Sequence, residues 1–434
     1  VTGFEIAEQA SLSDVGVRRS HNQDSFAVLT ANEPEVWRER GHLLLVADGM
    51  GAHAVGELAS KLAADLIPHT YQKHAAQGAG SALRRAFAEA NATIHQRGQQ
   101  NREFEGMGTT STAVVLRKDG AWIGHVGDSR AYRIRGGAIE QLSYDHSLQW
   151  ELARRQQIDP HMVEGIPSNV IVRSLGPEPG VQVDVEGPHP ILPGDVFLLC
   201  SDGLSNQLTD QEMGAIVSTL PLDEGGQFMV DLANLRGGPD NITVVLARLP
   251  GKSPENAEEF LDGQPHPRGA SFLYSQLPWA GIAFGAGTTL AIIALILLLV
   301  EYDKTLIIGT FLLAALILVI GLLGLWRSHR QELREEAEEE EVHPPQVYRR
   351  TSALVDQALL DKLAHTANNL QELAREKNWQ VDWVKHNKHL DESRKYLQKG
   401  DLPGAFRSTC RALGILASAL HQQRNKEEKF SPLW

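Results

Sequence analysis

Three apolar, β-type runs in this chain each end on an aspartate. "HLLLVADGMGAHAVGE" runs into Asp48-Gly49, "DVFLLCSDGLSNQLTDQE" repeats the grammar at Asp202-Gly203, and "AWIGHVGDSRAYRIR" delivers Asp128. Asp-Gly is a common turn dipeptide, so one such run alone reads as a strand ending in a tight turn. Two further carboxylates stand in polar loops that open into β-branched runs: Asp24 in "VGVRRSHNQDSFAV", five residues after Arg19, and Asp240 in "LRGGPDNITVVLARL". Neighbouring strands deliver their loops to one edge of a sheet, so aspartates this far apart in sequence can still converge. Converging carboxylates repel and raise one another's pKa unless a cation neutralises them. An all-oxygen set suits Mg²⁺ or Mn²⁺ rather than zinc, and a pair of ions needs a bridging carboxylate. Arg19 adds a planar fork able to hold two phosphate oxygens.

At 434 residues the chain has room for two or three domains of about 100 to 200 residues each. A formal charge of -13 argues against a nucleic-acid partner, which normally needs a basic patch. Cys200 and Cys410 are too few for a disulfide framework and have no CxxC spacing, and Cys200 reads as a small buried core residue. This cysteine usage makes the soluble parts read as cytoplasmic, and "VTGFEIAEQASLSDVG" has neither the basic start nor the apolar core of a secretory leader.

Residues 1–250 mix short β-type runs with alanine-rich helical patterns. Strands are expected at 24–30, 42–47, 110–117, 121–127, 130–135, 168–174, 195–200 and 241–248, and helices at 54–75, 79–98, 145–156, 209–219 and 225–235. Short turns such as "RKDGAW" and "RIRGGAIEQL" make part of the sheet antiparallel, which favours an α+β class. A Pro/Gly/Glu-rich linker is expected over 251–278, then two uncharged apolar runs of 22 residues at 279–300 and 305–326. Each would make a helix about 33 Å long against a hydrocarbon core of about 30 Å, enough to span a membrane. The four-residue "EYDK" connection makes the spans an antiparallel hairpin. Trp279 and Trp326 stand at its outer ends, and Arg268, Arg327, Arg330 and Arg334 outweigh Lys304, which puts both large flanks on the cytoplasmic side. An acidic linker is expected over 327–349 and a small all-α domain over 350–434. In that domain Leu359, Leu363, Ala367, Leu370 and Ala374 share one helical face, and Phe406, Cys410, Leu413, Ala417 and Leu420 another.

The ordered motifs "RRSHNQDS", "LLVADGMGAHAVGELAS", "MGTTSTAVVL", "IGHVGDSRAYRI", "LSYDHSLQWELARR", "LLCSDGLSNQL" and "GGPDNITVV" resemble the bacterial branch of the metal-dependent type 2C serine/threonine protein phosphatases, over residues 5–249. The resemblance implies a four-layer sandwich, two antiparallel β-sheets flanked by helices, with two Mg²⁺ or Mn²⁺ ions at one edge. By position, Asp48 would bridge both ions, Gly49 would offer its carbonyl to one, and Asp202 and Asp240 would complete the other. Asp24 falls in the acidic motif near the metals, Asp128 matches the ligand of a third ion, and Arg19 matches the phosphate-binding arginine. Residues 153–176 resemble the flap beside the site. The reaction implied is attack of a metal-activated water on phosphoserine or phosphothreonine in cytoplasmic proteins, opposing a kinase at the same membrane. The alternative is a catalytically weak scaffold that binds phosphoproteins and signals through its C-terminal helices.

The sequence departs from the family pattern in places. Gln23 stands where glutamate is frequent, Ala52 where a glycine is, and Met50 where eukaryotic members carry a histidine proposed as general acid. His53 and His146 read more readily as hydrogen-bonding structural residues than as proton donors. The hydroxyls of "MGTTSTAVVL" read as strand and turn chemistry, and Asn241 as an orienter of the Asp240 loop.

Overall fold

The strands of residues 1–250 are apolar on both faces because two sheets stack and helices cover each outer side. Side chains alternate across a strand, and strand β3 (His42–Met50) shows the consequence. Its Leu43 and Leu45 pack under the alanine-rich helices α2 (Val55–His74) and α3 (Ala79–Gln99), while Leu44 and Val46 meet the other sheet. In β10 (Val196–Cys200) and β11 (Ile242–Arg248) the roles are mirrored: Phe197, Leu199, Val245 and Ala247 face between the sheets, whereas Leu198, Cys200, Val244 and Leu246 face α6 (Asp210–Thr219) and α7 (Leu222–Leu235).

The computed structural model describes residues 6–51, 55–104, 106–163, 165, 170–252 and 343–430, together with parts of 288–321. One sheet runs β1-β11-β10-β7-β8-β12, where β1 is Glu8–Asp14, β7 Arg130–Arg135, β8 Ala138–Gln141 and β12 Arg349–Ser352. The other runs β2-β3-β5-β6-β9, where β2 is Asp24–Leu29, β5 Ser111–Arg117, β6 Gly120–Val126 and β9 Asp184–His189; the short β4 (Gly108–Thr109) pairs with β3. All the named strand pairs are antiparallel. The expected two-sheet sandwich with flanking helices is therefore the architecture of the phosphatase-like region. Besides the two-residue β4, four strands are not marked by the apolar pattern, β1, β8, β9 and β12; they lie at or next to sheet edges and are largely polar. The strand expected at 168–174 reduces to an isolated Ser147–Ile171 bridge, with residues 166–169 outside the described set.

The C-terminal segment is not set apart from the sandwich: residues 1–267 and 342–434 form one compact unit. The expected acidic linker ends in a strap, residues 343–352. The His343 amide donates to Val185 O (2.9 Å) and its carbonyl accepts from Gly187, at the edge of one sheet. The Tyr348 amide then donates to Gln141 O (2.9 Å), and β12 pairs with β8 at the edge of the other. Val347 packs into the core between the sheets. Helices α8 (Gln357–Glu376), α9 (Trp383–Gln398) and α10 (Leu402–Phe430) follow. The two apolar faces read from the sequence supply Leu359, Leu363, Ala367, Phe406, Cys410 and Leu413 to the cluster that already holds α6 and α7. Arg411 grips Glu224 with two bonds of 2.6 and 2.9 Å, and Arg407 donates to Thr219 O.

Residues 268–341 form a second unit. Within it, residues 295–299 and 308–319 are helical, with Leu299 76% and Leu312 68% exposed. Among the described residues no helix is long and apolar enough to cross a membrane. Residues 288, 289, 292, 293 and 321 are helical as well; the rest of both apolar runs and the EYDK connection lie outside the described residues.

Glu212 ties α6 to two other elements. It closes a capping box with Thr209, receives Arg236 (2.6 and 2.8 Å) and meets Lys362 of α8 at 3.0 Å. Burial pushes its pKa up, but hydrogen bonds from Arg236 and the Thr209 amide outweigh this and hold it at about 2. A depressed folded-state pKa means a stabilisation that is complete above the ordinary carboxylate range and lost as pH falls toward 2. Glu212→Gln should lower stability at pH 7 by about 2 kcal/mol and flatten the acid limb below about pH 4.5, read by urea titration across pH.

Candidate active site

Asp24 and Asp48 are directly opposite one another across β2 and β3. Like charges at opposed positions of an antiparallel pair destabilise it, so this pairing needs a reason outside the sheet. From the other sheet come Asp202, at the end of β10, and Asp240, just before β11. The two halves are sewn together by short bonds: Ser201 Oγ donates to Asp24 Oδ2 (2.7 Å), and the Gln23 amide donates to Asn241 Oδ1 (2.8 Å). Asn241 also donates to Val15 O and His21 O and gives its own amide to Asp240 Oδ1 (2.9 Å). It orients the Asp240 loop, as expected. Asp128 lies in the β6–β7 turn and is buried.

The two Asp-Gly dipeptides share one local reason. A Cβ on Gly49 would sit 2.1 Å from Gly56 O, and one on Gly203 would sit 1.9 Å from Asn241 O. Each glycine lets a strand end pass against another backbone, bringing the neighbouring aspartate to the common edge. The hydroxyl run has a sharper role than strand chemistry. Thr110 Oγ1 accepts from the Asp48 amide (2.9 Å), and the Thr110 amide and Thr109 Oγ1 both donate to Asp48 O (2.8 and 2.9 Å). Hydroxyl residues are too common in strands for Ser201, Thr109 and Thr110 to be singled out in advance; only their proximity to aspartates at strand ends marked them.

Electrostatically the five expected aspartates form one group. Burial, then Asp202 and Asp240, raise the Asp24 pKa to about 7 against the pull of hydrogen bonds from Thr243 and Ser201. Burial and Asp240 raise Asp202 to about 6. Asp48 is pushed well above the usual range by burial and by Asp24, Asp202, Asp128 and Asp240, and Asp128 by burial, Asp202 and Asp145. One oxygen each of Asp24, Asp128 and Asp202 is buried without a hydrogen-bond partner. Among the described residues no three such side chains close on one point at ligand distance; the carboxylates share an edge. Arg19, half exposed, pairs with Asp240 at 2.7 Å, so its fork stands at the mouth of the cluster.

His146 is held on every side. The Gly127 amide donates to its Nδ1 (3.0 Å), which leaves Nε2–H to donate to Asp184 (3.1 Å), and its own amide donates to Gly127 O (2.7 Å). This is the structural hydrogen bonding expected of it. Arg173 reaches Asp184 at 2.9 Å, so the flap-like region beyond α4 (Leu148–Gln156) is anchored on the same carboxylate. Gln23 uses its backbone carbonyl to accept from Gly49 (3.1 Å) and Ser60 (2.6 Å). Ala52 and His53 lie outside the described residues.

Gly203→Ala should cost about 3 kcal/mol in chemical denaturation, because its Cβ must displace the backbone of Asn241.

A sequence model described as Protein phosphatase 2C matches residues 17–231. The serine/threonine phosphatase stp of Listeria welshimeri is 35% identical over 240 residues, 54% of this chain and 92% of that protein. Protein phosphatase PhpP of Streptococcus pneumoniae is 36% identical over 248 residues, 56% of this chain and 97% of that protein. Among solved structures, the Mycobacterium tuberculosis serine/threonine phosphatase PstP/Ppp aligns with a TM-score of 0.50 at 32% identity, covering 56% of this chain and 99% of that one. With almost the full length of such relatives matched, and with the strand-end aspartates gathered at one edge of a two-sheet sandwich, the chain belongs to the protein phosphatase 2C family and is a protein-serine/threonine phosphatase.

Proposed function

We propose that the cluster holds two divalent cations, Mg²⁺ or Mn²⁺, with Asp48 shared between them, the Gly49 carbonyl on one, Asp202 and Asp240 on the other, Asp24 beside them and Asp128 serving a third. The observation that carries this reading is the set of buried, unpartnered oxygens on Asp24, Asp128 and Asp202, within a group of carboxylates that raise one another's pKa. Buried charges persist when they are paired or coordinate metal, and an all-oxygen donor set matches hard cations. Bound there, divalent ions would neutralise the carboxylates and acidify a water for attack on phosphorus.

The protein's own groups do the rest. Arg19 is oriented by Asp240 through one nitrogen and keeps further donors for the non-bridging oxygens of a phosphoserine or phosphothreonine. Ser201 and Thr110 hold Asp24 and the Asp48 backbone, so the acceptor geometry is fixed before substrate arrives. Phosphorylated proteins are the substrates in this reading, set against a kinase of the same pathway.

We also propose that the apolar runs anchor the enzyme in a membrane as a two-span hairpin, with both the phosphatase domain and the C-terminal helices on the cytoplasmic side. The uncharged 22-residue lengths and the exposed leucines of the described helical residues, such as Leu299 and Leu312, support it: contiguous exposed apolar surface seeks a partner or lipid.

Manganese-dependent hydrolysis of an aryl phosphate by the full chain tests the first proposal. Asp240→Asn should lose more than the roughly 10 to 100-fold typical of groups that merely support a ligand, and Mn²⁺ should raise the melting temperature of the wild type more than that of the variant. Hydrolysis unaffected by chelation would overturn the metal reading. For the anchor, Tyr302→Cys in sealed vesicles should react with an impermeant thiol reagent only from the non-cytoplasmic side; Cys200 and Cys410 are buried and give little background. Reaction from the cytoplasmic side would reverse the topology.

A further inference from the structure

We propose that the strap after the apolar region acts on the active site: Arg349 is a positioning residue for the turn that carries Asp128. The strap lies outside residues 17–231, the stretch matched by the family, yet its side chains join a line of buried polar groups ending two residues from Asp128. Arg349 Nη2 meets Asp210 Oδ2 at 3.2 Å. The other oxygen of Asp210 accepts from Tyr132 OH (3.1 Å), and Tyr132 OH accepts from Arg130 Nη1 (3.2 Å). Arg130 then forks onto Asp145, with Nε at 2.8 Å and Nη2 at 2.7 Å from Oδ2. Asp145 also accepts from Gln141 Nε2 (2.8 Å), and Gln141 is the register partner of Arg349 in β12–β8. The line therefore closes on β8, the strand paired with the one it began from.

At its far end the line clasps the Asp128 turn from both sides. Arg130 follows Asp128 by two residues, while His146, next to Asp145, exchanges two hydrogen bonds with Gly127. A second contact runs parallel: Tyr348 donates to Glu186 and packs on Tyr144 at a ring distance of 5.5 Å, and Tyr144 packs on His146 at 6.3 Å.

Charge makes Arg349 the member that matters. Asp210 is buried, and without Arg349 the Tyr132 phenol is what remains on its carboxylate. A buried carboxylate left short of a cation draws on the nearest donors, here Tyr132 and through it Arg130, which would otherwise be committed to Asp145. Polar networks of this kind are coupled, so loss at one end loosens the other. Arg350, the next residue, offers an internal control. It points to Glu140 (3.1 Å), which Arg133 already holds at 2.8 Å, and its contacts do not lead to the Asp128 turn.

The experiment is residue-resolved amide hydrogen exchange on the metal-free full chain. Arg349→Gln should speed exchange at Gly127 and Asp128 by about tenfold, Arg349→Lys should restore protection, and Arg350→Gln should leave these amides unchanged. Tyr132→Phe cuts the line while leaving the Arg349–Asp210 pair in place, and should speed the same amides with the strap still protected. Unchanged exchange in Arg349→Gln, or equal acceleration in Arg350→Gln, overturns the inference, as does an inert Tyr132→Phe. A second readout rests on the metal reading above: Mn²⁺ binding without substrate, followed by the electron paramagnetic resonance of the free ion, should weaken about tenfold at the weakest site in Arg349→Gln. No Mn²⁺ bound by the wild type would refute the metal reading, whereas an unaltered isotherm in Arg349→Gln would refute this one.

Discussion

The repulsion between aspartates that share one edge of the sandwich is the constraint around which the rest of this protein is arranged. Asp24 and Asp48 sit opposite each other across two paired strands, an arrangement a sheet disfavours unless something outside it compensates. Two glycines let the strand ends approach other backbones, Asn241 ties three loops together, and Ser201 reaches from one sheet to a carboxylate of the other. None of these contacts removes the repulsion; each holds the groups in place despite it. That is the situation expected of a site whose stability is completed by a cation.

The sandwich can carry this load because apolar side chains fill each of its layers. Leu44, Val46, Phe197, Leu199 and Val245 fill the space between the sheets, and the outer faces are covered by α2 and α3 on one side and by α6 and α7 on the other. The C-terminal helices extend that second cover, so the phosphatase core and the segment beyond the apolar runs share one hydrophobic cluster. The strap that joins both sheet edges makes the same point in hydrogen bonds: an edge strand left open is a liability, and this chain closes one with its own later residues.

Most of the central architecture was legible because buried strands write a continuous apolar run and covered helices write a small-residue face. The polar strands at or beside the edges were not, since "EQASLSD", "AIEQ", "DVEGPH" and "RRTS" pair through their backbones and write no apolar run. The same limit applied to the site. Asp48, Asp128 and Asp202 could be nominated as carboxylates at the ends of apolar runs, and Asp24, Asp240 and Arg19 from the polar loops and motifs around them, whereas Ser201, Thr110 and Arg349 act through contacts between distant elements that leave no pattern in the chain. The sequence sets residues 350–434 apart as a small helical domain, but composition does not reveal what a segment packs against, here α6 and α7.

Residue type and spacing along the chain set the kind of chemistry this protein holds: they decide which groups arrive at strand ends and which runs are apolar, and both follow from local periodicity. Tertiary structure alone decided which aspartates raise one another's pKa, which hydroxyls hold them, and that Arg349, more than 200 residues from Asp128, belongs to the same polar network. Those are distances between elements far apart in the chain, and burial and Coulomb interaction depend on distance in space rather than on position in sequence.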